Sequence, residues 1–237
     1  MVYGTNNGVL CALGPKTHYA VTGQCEDVTL KAGAVLQRSG EATHAVYFPE
    51  TAVVSAIATY SDGSGIEMAN MGREASTAVN LLLGQSHQLH TDEVQIGGAA
   101  LRLPAERFLK LKSDHAEFER VLLASAQSVF YQVMISGACN GTHDARQRLA
   151  RWLLTMADRI DGAEMRLTHD FLSEMLGVRR ATVTKAAQDL QENGLISYTR
   201  GRIRITNRKG LREASCECYD LVRNANRALL PNAGRNG

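Results

Sequence analysis

Residues 167–206 read LTHDFLSEMLGVRRATVTKAAQDLQENGLISYTRGRIRIT, and the spacing of their apolar residues predicts two helices around a glycine turn, followed by a basic hairpin. Thr168 stands where an N-cap belongs, and Phe171, Leu172, Met175 and Leu176 recur on one face of a short helix that Gly177 closes. The second helix is predicted over residues 179–193. Val183, Ala186, Ala187 and Leu190 form its buried stripe, Thr184, Lys185 and Gln188 point the other way, and Asn193-Gly194 supplies the stop. Residues 196–198 and 202–206 are then β-rich runs around Arg200-Gly201, with Ile203 and Ile205 inward and Arg202 and Arg204 outward. Helix, turn, helix and basic wing form a module built to lie against duplex DNA.

Charge placement supports this reading more than total charge does, because the 237-residue chain carries a formal net charge of only +2. Between Arg166 and Arg212 ten Lys or Arg residues face four acids, leaving 16 basic and 20 acidic residues elsewhere. A mildly acidic part and a basic part imply a division of labour, with the basic end meeting phosphates.

A chain of this length with 44% hydrophobic residues can bury two modest cores. The N-terminus has no basic run followed by an apolar one, and no stretch approaches ~18 consecutive apolar residues, so no membrane partner is expected and a cytoplasmic location is. Five cysteines without a regular framework fit reduced thiols better than disulfides. Residues 28–103 have a β texture, with runs VTL, VLQ, AVYF, VVSAIATY, GIEMANM and EVQI, and the clearest turn at residues 61–65. Short strands at this spacing predict a β-roll or jelly roll. Pro104 is expected to open a short helix through about Lys112.

Residues 114–139 lack proline, and Leu123, Ala126, Phe130, Val133 and Gly137 follow the 3,4 spacing of a helix-to-helix seam. Phe118, Leu122 and Val129 line a second side. A helix apolar on two sides needs two surfaces, and the pair expected is its own β-domain and the same helix of a second subunit. Asn140-Gly141 is expected to end it as a hinge. The predicted class is α+β: a β-roll sensor domain over 1–112, a dimerisation helix and hinge over 113–141, and a winged helix-turn-helix with a C-terminal helix over 142–237.

This order of parts resembles the Crp/Fnr family of bacterial transcription regulators over nearly the whole chain, most specifically in LGVRRATVTKAAQDLQENGLISYTRGRIRI and more weakly in LKAGAVLQRSGE, VYFPETAVVSAI and NMGREASTAVNLLLG. The resemblance implies a homodimer that binds a two-fold symmetric promoter site, changes RNA polymerase recruitment and responds to an unidentified small-molecule effector in the β-roll. It places Arg180 where a guanidinium reaches guanine O6 and N7, with Lys185 at a second base- or phosphate-reading position. Ala181 departs from the family, where a Glu that can accept from a cytosine amino group is common. His169, Arg179, Thr182, Arg200 and Arg202 are the expected phosphate contacts.

The sensing half departs further. The Gly-Glu and Arg-Ser/Thr pairs that hold a cyclic nucleotide in the family are missing, and His90-Thr91-Asp92-Glu93 puts two acids where the phosphate would lie, so cyclic nucleotides are not expected to bind. Arg73-Glu74 reads as a structural turn. Only Cys11 and Cys25 lie in the region where relatives crowd their cluster cysteines, and Cys139 closes the long helix, so an iron-sulfur cluster is not expected. Cys216 and Cys218 read as thiols of one helix over 210–229, where residues two apart face about 200° away from each other; no metal site follows. Seven scattered histidines single out no haem ligand and leave haem open. No G-x-S-x-G, P-loop or H-E-x-x-H motif is present, which argues against an enzyme. Two other readings stay open: a ligand-free DNA-binding regulator, and a winged helix used for protein contacts.

Overall fold

The computed structural model describes residues 4–61, 65–160 and 164–231. Two short helices, α1 (Gly8–Cys11) and α2 (Pro15–Thr22), precede seven strands: β1 (Glu26–Leu30), β2 (Val35–Gln37), β3 (Ala45–Pro49), β4 (Val53–Thr59), β5 (Gly65–Met71), β6 (Thr91–Ile96) and β7 (Gly98–Pro104). A four-residue helix, α3 (Val79–Leu82), lies between β5 and β6. The strands form two antiparallel sheets, β1-β7-β3 and β2-β6-β4-β5. Alternation drives the arrangement: Val46 and Phe48 of β3, with Leu101 and Leu103 of β7, turn into one core cluster, and Val54, Ala56, Ala69 and Val94 into another. All six β runs expected from the sequence are strands. Residues 62–64 of the expected turn lie outside the described residues.

After the roll come α4 (Ala105–Asp114), α5 (Ala116–Thr142) and α6 (Ala145–Ala157), then the DNA-type module: β8 (Glu164–Arg166), α7 (His169–Leu176), α8 (Arg180–Glu192), β9 (Ile196–Thr199), β10 (Arg202–Ile205), α9 (Arg208–Ala214) and α10 (Cys218–Leu229). Pro104 ends β7 and caps α4 from outside rather than opening its first turn. The long helix also runs through Asn140-Gly141. A glycine stop needs the left-handed conformation, which Gly141 does not adopt; the break comes at extended His143, and Asp144 then opens α6 with a capping box to Gln147.

At 27 residues α5 is long and apolar enough to cross a membrane by length and composition. Its composition is explained by the surfaces it meets. One side packs first on α1, α3 and α4, burying Phe118, Val121 and Leu122, and then on β5 and α10, where Ser125, Ser128, Gln132 and Cys139 are buried. The expected seam is the uncovered side: Leu123 is 47% exposed, Phe130 63%, Val133 37% and the neighbouring Met134 49%. Ala126 is half-buried and Gly137 exposed.

The single C-terminal helix expected over 210–229 is two. α9 ends at Ala214, Ser215 turns extended, and α10 starts at Cys218 in a new direction. Redirection lets α10 run back along α5, with Ser128 hydrogen-bonded to Asn226 and Leu230 buried in the N-terminal core cluster. The reading of Cys216 and Cys218 as opposed positions on one helix is therefore corrected, because the helix breaks between them and Ala214.

Candidate nucleic-acid interface

Thr168 caps α7 by accepting from the Phe171 amide at 3.2 Å, and Gly177 closes it at φ 59°, a conformation that costs a Cβ-bearing residue strain. Below this turn lies a core of Leu172, Leu176, Val183, Ala186, Ala187, Leu190, Ile196 and Ile203. Every residue of the α8 stripe expected to be buried is buried. The Arg148 guanidinium donates to the Leu176 carbonyl, satisfying the end of α7 from α6.

The buried stripe fixes what faces outward. Arg179, Arg180, Ala181, Thr182, Lys185 and Gln188 are exposed along the start and outer side of α8. Across the module β8, β10 and β9 form a sheet, and Thr199 pairs with Arg202 around the two-residue turn Arg200-Gly201. Both turn residues have positive φ, 49° and 75°, as a mirror-image hairpin turn requires. Arg200 and Arg202 are exposed there, and Arg202 lies 3.3 Å from Glu164 of β8. β8 was not legible in the sequence, since three residues in the pattern Glu-Met-Arg are too short to show alternation.

Three details depart from a plain set of contact residues. Arg180 is held 3.2 Å from Asp170 on α7, so its guanidinium has an acidic partner before any base approaches. His169 turns inward: its ring stacks on Tyr198 at 4.6 Å between centroids and 26° between planes. The Thr184 hydroxyl donates to the Arg180 carbonyl at 3.1 Å, so His169 Nδ1 donates to that hydroxyl at 2.9 Å. Burial first, and the Arg180 charge second, push the His169 pKa down. His169 and Thr184 thus brace α7, α8 and the wing against each other. Asp170 and Tyr198 carried no sequence signal, because their roles exist only once α7, α8 and β9 are packed.

On the sensing side, an open groove of about 510 Å³ lies between the roll and α5, lined by Met68, Met71, Leu83, Leu123, Phe130 and Val133 among others. No Lys or Arg is among its described lining residues. Asp92 is buried and occupied, accepting from Gln88 at 2.9 Å and lying 3.2 Å from His90. Arg73 and Glu74 join the roll to the segment after α6: Arg73 donates to the Arg159 carbonyl at 2.9 Å, and Glu74 pairs with the buried Arg159 guanidinium at 2.5 Å. A second cluster stands apart from all of this. Cys139, His143, Cys216 and Cys218 bring one ligand atom each to within 4.8 Å of one another.

Comparison with known proteins agrees with the geometry. Residues 147–214 match the Crp-like helix-turn-helix domain. Over 182 residues, 71% of this chain and 79% of the relative, the sequence is 26% identical to the global nitrogen regulator of Synechocystis sp., and over 178 residues it is 27% identical to that of Synechococcus elongatus. The fold matches FixK2 from Bradyrhizobium japonicum with a TM-score of 0.66 at 18% identity, covering 81% of this chain and 98% of that one. A CRP-family regulator from Thermus thermophilus matches with a TM-score of 0.65 at 19% identity, covering 79% and 96%. These relatives are transcription regulators, not enzymes. Residues 147–214 thus carry a Crp-like helix-turn-helix domain, set behind a β-roll and a long helix in a fold shared with regulators of the Crp/Fnr family.

Proposed function

We infer that the protein binds a two-fold symmetric duplex DNA site as a homodimer, through α8 and the wing, and that the β-roll carries its signal input. The observation that carries this reading is the pairing of two exposed surfaces on one protomer. One is the cationic face of Arg179, Arg180, Lys185, Arg200 and Arg202; the other is the apolar seam of Leu123, Phe130, Val133 and Met134. A second copy seated on the seam would present two recognition helices related by a two-fold axis, the arrangement that reads half-sites about one helical turn apart. Arg180 reads a guanine, Lys185 a base or phosphate, and Arg179, Thr182, Arg200 and Arg202 hold phosphates. Contact with RNA polymerase and action in the cytoplasm beside the DNA follow from likeness to the family.

For the effector, the groove between roll and α5 favours an uncharged, apolar small molecule. A cyclic phosphate in a groove whose described lining holds no Lys or Arg, and whose His90 already faces Asp92, would lose its hydration without a strong counter-charge. Selection of a binding site from a random duplex pool, followed by gel shifts on that site and a scrambled one, tests the DNA reading. A selected palindrome bound by two chains is the expected result, and binding without sequence preference would favour a protein-contact role for the winged helix. Titration calorimetry with cyclic AMP and cyclic GMP is expected to show no tight binding to the groove.

A further inference from the structure

We propose that Cys139, His143, Cys216 and Cys218 form a closed, four-ligand zinc site that clips the C-terminal helix to the end of the long helix. The site is not part of the DNA interface or of the groove. It has two halves: Cys139 and His143, four apart at the end of α5, and Cys216 on the turn after α9 with Cys218 at the start of α10. The break at Ser215 is what lets the two residues of a Cys-x-Cys pair face one point, since on an unbroken helix they would diverge.

The geometry has the dimensions of one ion. Cys139 Sγ and Cys216 Sγ are 3.5 Å apart, and Cys218 Sγ lies 3.7 Å from His143 Nδ1. With metal–sulfur bonds of ~2.3 Å and metal–nitrogen bonds of ~2.0 Å, a tetrahedron has edges of about 3.5–3.8 Å, and a sulfur–sulfur bond would be ~2.0 Å. The cluster is thus at the separation of co-ligands rather than of a disulfide. A multi-iron cluster, in which each thiolate binds a different iron, would need its sulfurs farther apart. Three thiolates and one imidazole in a tetrahedron are a zinc donor set, and four protein ligands leave no open position, as in structural rather than catalytic sites.

The surroundings complete it. Cys139, Cys216 and Cys218 are buried. His143 turns Nδ1 to the cluster and Nε2 to Glu217, whose carboxylate lies at 3.2 Å, the carboxylate–histidine arrangement that orients a metal-binding imidazole. Thr142 Oγ1 lies 3.2 Å from the same Nδ1, but its proton goes to the Ala138 carbonyl at 2.8 Å, leaving the nitrogen lone pair available. The Arg151 and Arg148 charges act on the cysteines and offset the negative charge of three thiolates.

Zinc here would fix the hinge, because His143 precedes the Asp144 cap of α6, which leads into the DNA module. The test is metal content of the full-length protein purified without chelator or immobilised metal, followed by replacement with Co(II). One zinc per chain is expected, together with the intense visible and near-ultraviolet bands of tetrahedral thiolate-bound cobalt. Cys216→Ser and Cys218→Ser should each lose the metal and the bands, whereas Cys25→Ser should keep both. Should the serine variants fail to fold, the cobalt spectrum of the unaltered chain decides by itself. Absence of zinc with no uptake of Zn(II) or Co(II) by the reduced protein would overturn the proposal. So would a Cys139–Cys216 disulfide in the isolated protein that persists where metal should be, or the broad brown absorption of an iron-sulfur cluster.

Discussion

Arg180 shows how a contact residue is set by its neighbours. Its exposed pairing with Asp170 is worth little in water, about 0.2–1 kcal/mol, so it can be exchanged for the edge of a guanine at small cost while still orienting the guanidinium beforehand. Arg180→Ala is expected to remove about 1–3 kcal/mol of discrimination at one base pair per half-site and to leave salt-dependent non-specific binding intact. Gel shifts on specific and scrambled duplexes check this, and equal loss on both would sink the assignment. Arg200 tests the wing differently. Because its φ of 49° suits Asn better than most residues, Arg200→Asn keeps the turn and deletes only the charge. Affinity should fall alike for all sequences and the slope of log K against log salt should shrink by about one, with the melting temperature unchanged.

At the scale of elements, α5 is a helix with one face filled and one unmet. Phe130 stands on the unmet face, so Phe130→Glu should leave the protomer folded while placing a charge in the seam of the dimer. Monomeric mass by light scattering with unchanged helical circular dichroism is the expected outcome; a parent protein that is already a stable monomer at micromolar concentration would refute it. The join between β5 and α6 is polar and equally specific. Glu67 accepts from Ser55 at 2.7 Å, Asn70 at 2.7 Å, Gln95 at 3.0 Å and Trp152 at 3.4 Å. Part of its side chain reaches the surface, but enclosure of the carboxylate outweighs these hydrogen bonds and raises its pKa. A raised folded-state value means that the folded protein favours the protonated form. The stability this contributes is full below the ordinary value of 4.5 and is lost as pH rises through the raised one. Glu67→Gln keeps one acceptor oxygen, and Ser55 and Gln95 can both reverse roles to meet the new amide. As pH rises above 4.5 the variant's melting temperature should therefore fall less than the parent's. Superimposable profiles would show that Glu67 does not titrate in this window.

The whole molecule is tied together at Arg159. Its guanidinium reaches Glu74 of the roll, Asn70 of β5 and Gln132 of α5, while its carbonyl accepts from Arg73. The core of the DNA module also includes Val53 of the roll, and α7 packs on β5, so the two domains meet through both apolar and ionic surfaces. Arg159→Met would leave the Glu74 carboxylate without its partner, a loss on the order of 3–5 kcal/mol. Scanning calorimetry is expected to resolve two transitions in the variant, with the DNA module and the roll melting separately; a single transition at the parent temperature would show that the apolar contacts alone couple them.

Periodicity and turn chemistry were enough to read the strands of the roll, the two helices around Gly177, the buried stripe of α8, the Arg200-Gly201 hairpin and the exposed seam of α5. Each follows from spacing within a single element, which a linear sequence records directly. The stop of α5 was misplaced because an Asn-Gly pair is only permissive, and the Asp144 capping box further on competes successfully with it. Between elements the sequence is silent. Nothing local tells that Asp170 will hold Arg180, that His169 will stack on Tyr198, or that Arg159 will gather three elements around one charge. The four atoms of Cys139, His143, Cys216 and Cys218 come from positions as much as 79 residues apart, and they meet only because the tail breaks at Ser215 and folds back along α5. A helix assumed continuous hides such a site, because whether a chain stays helical through a given residue depends on the surface it must cover, and that surface is supplied by the rest of the fold.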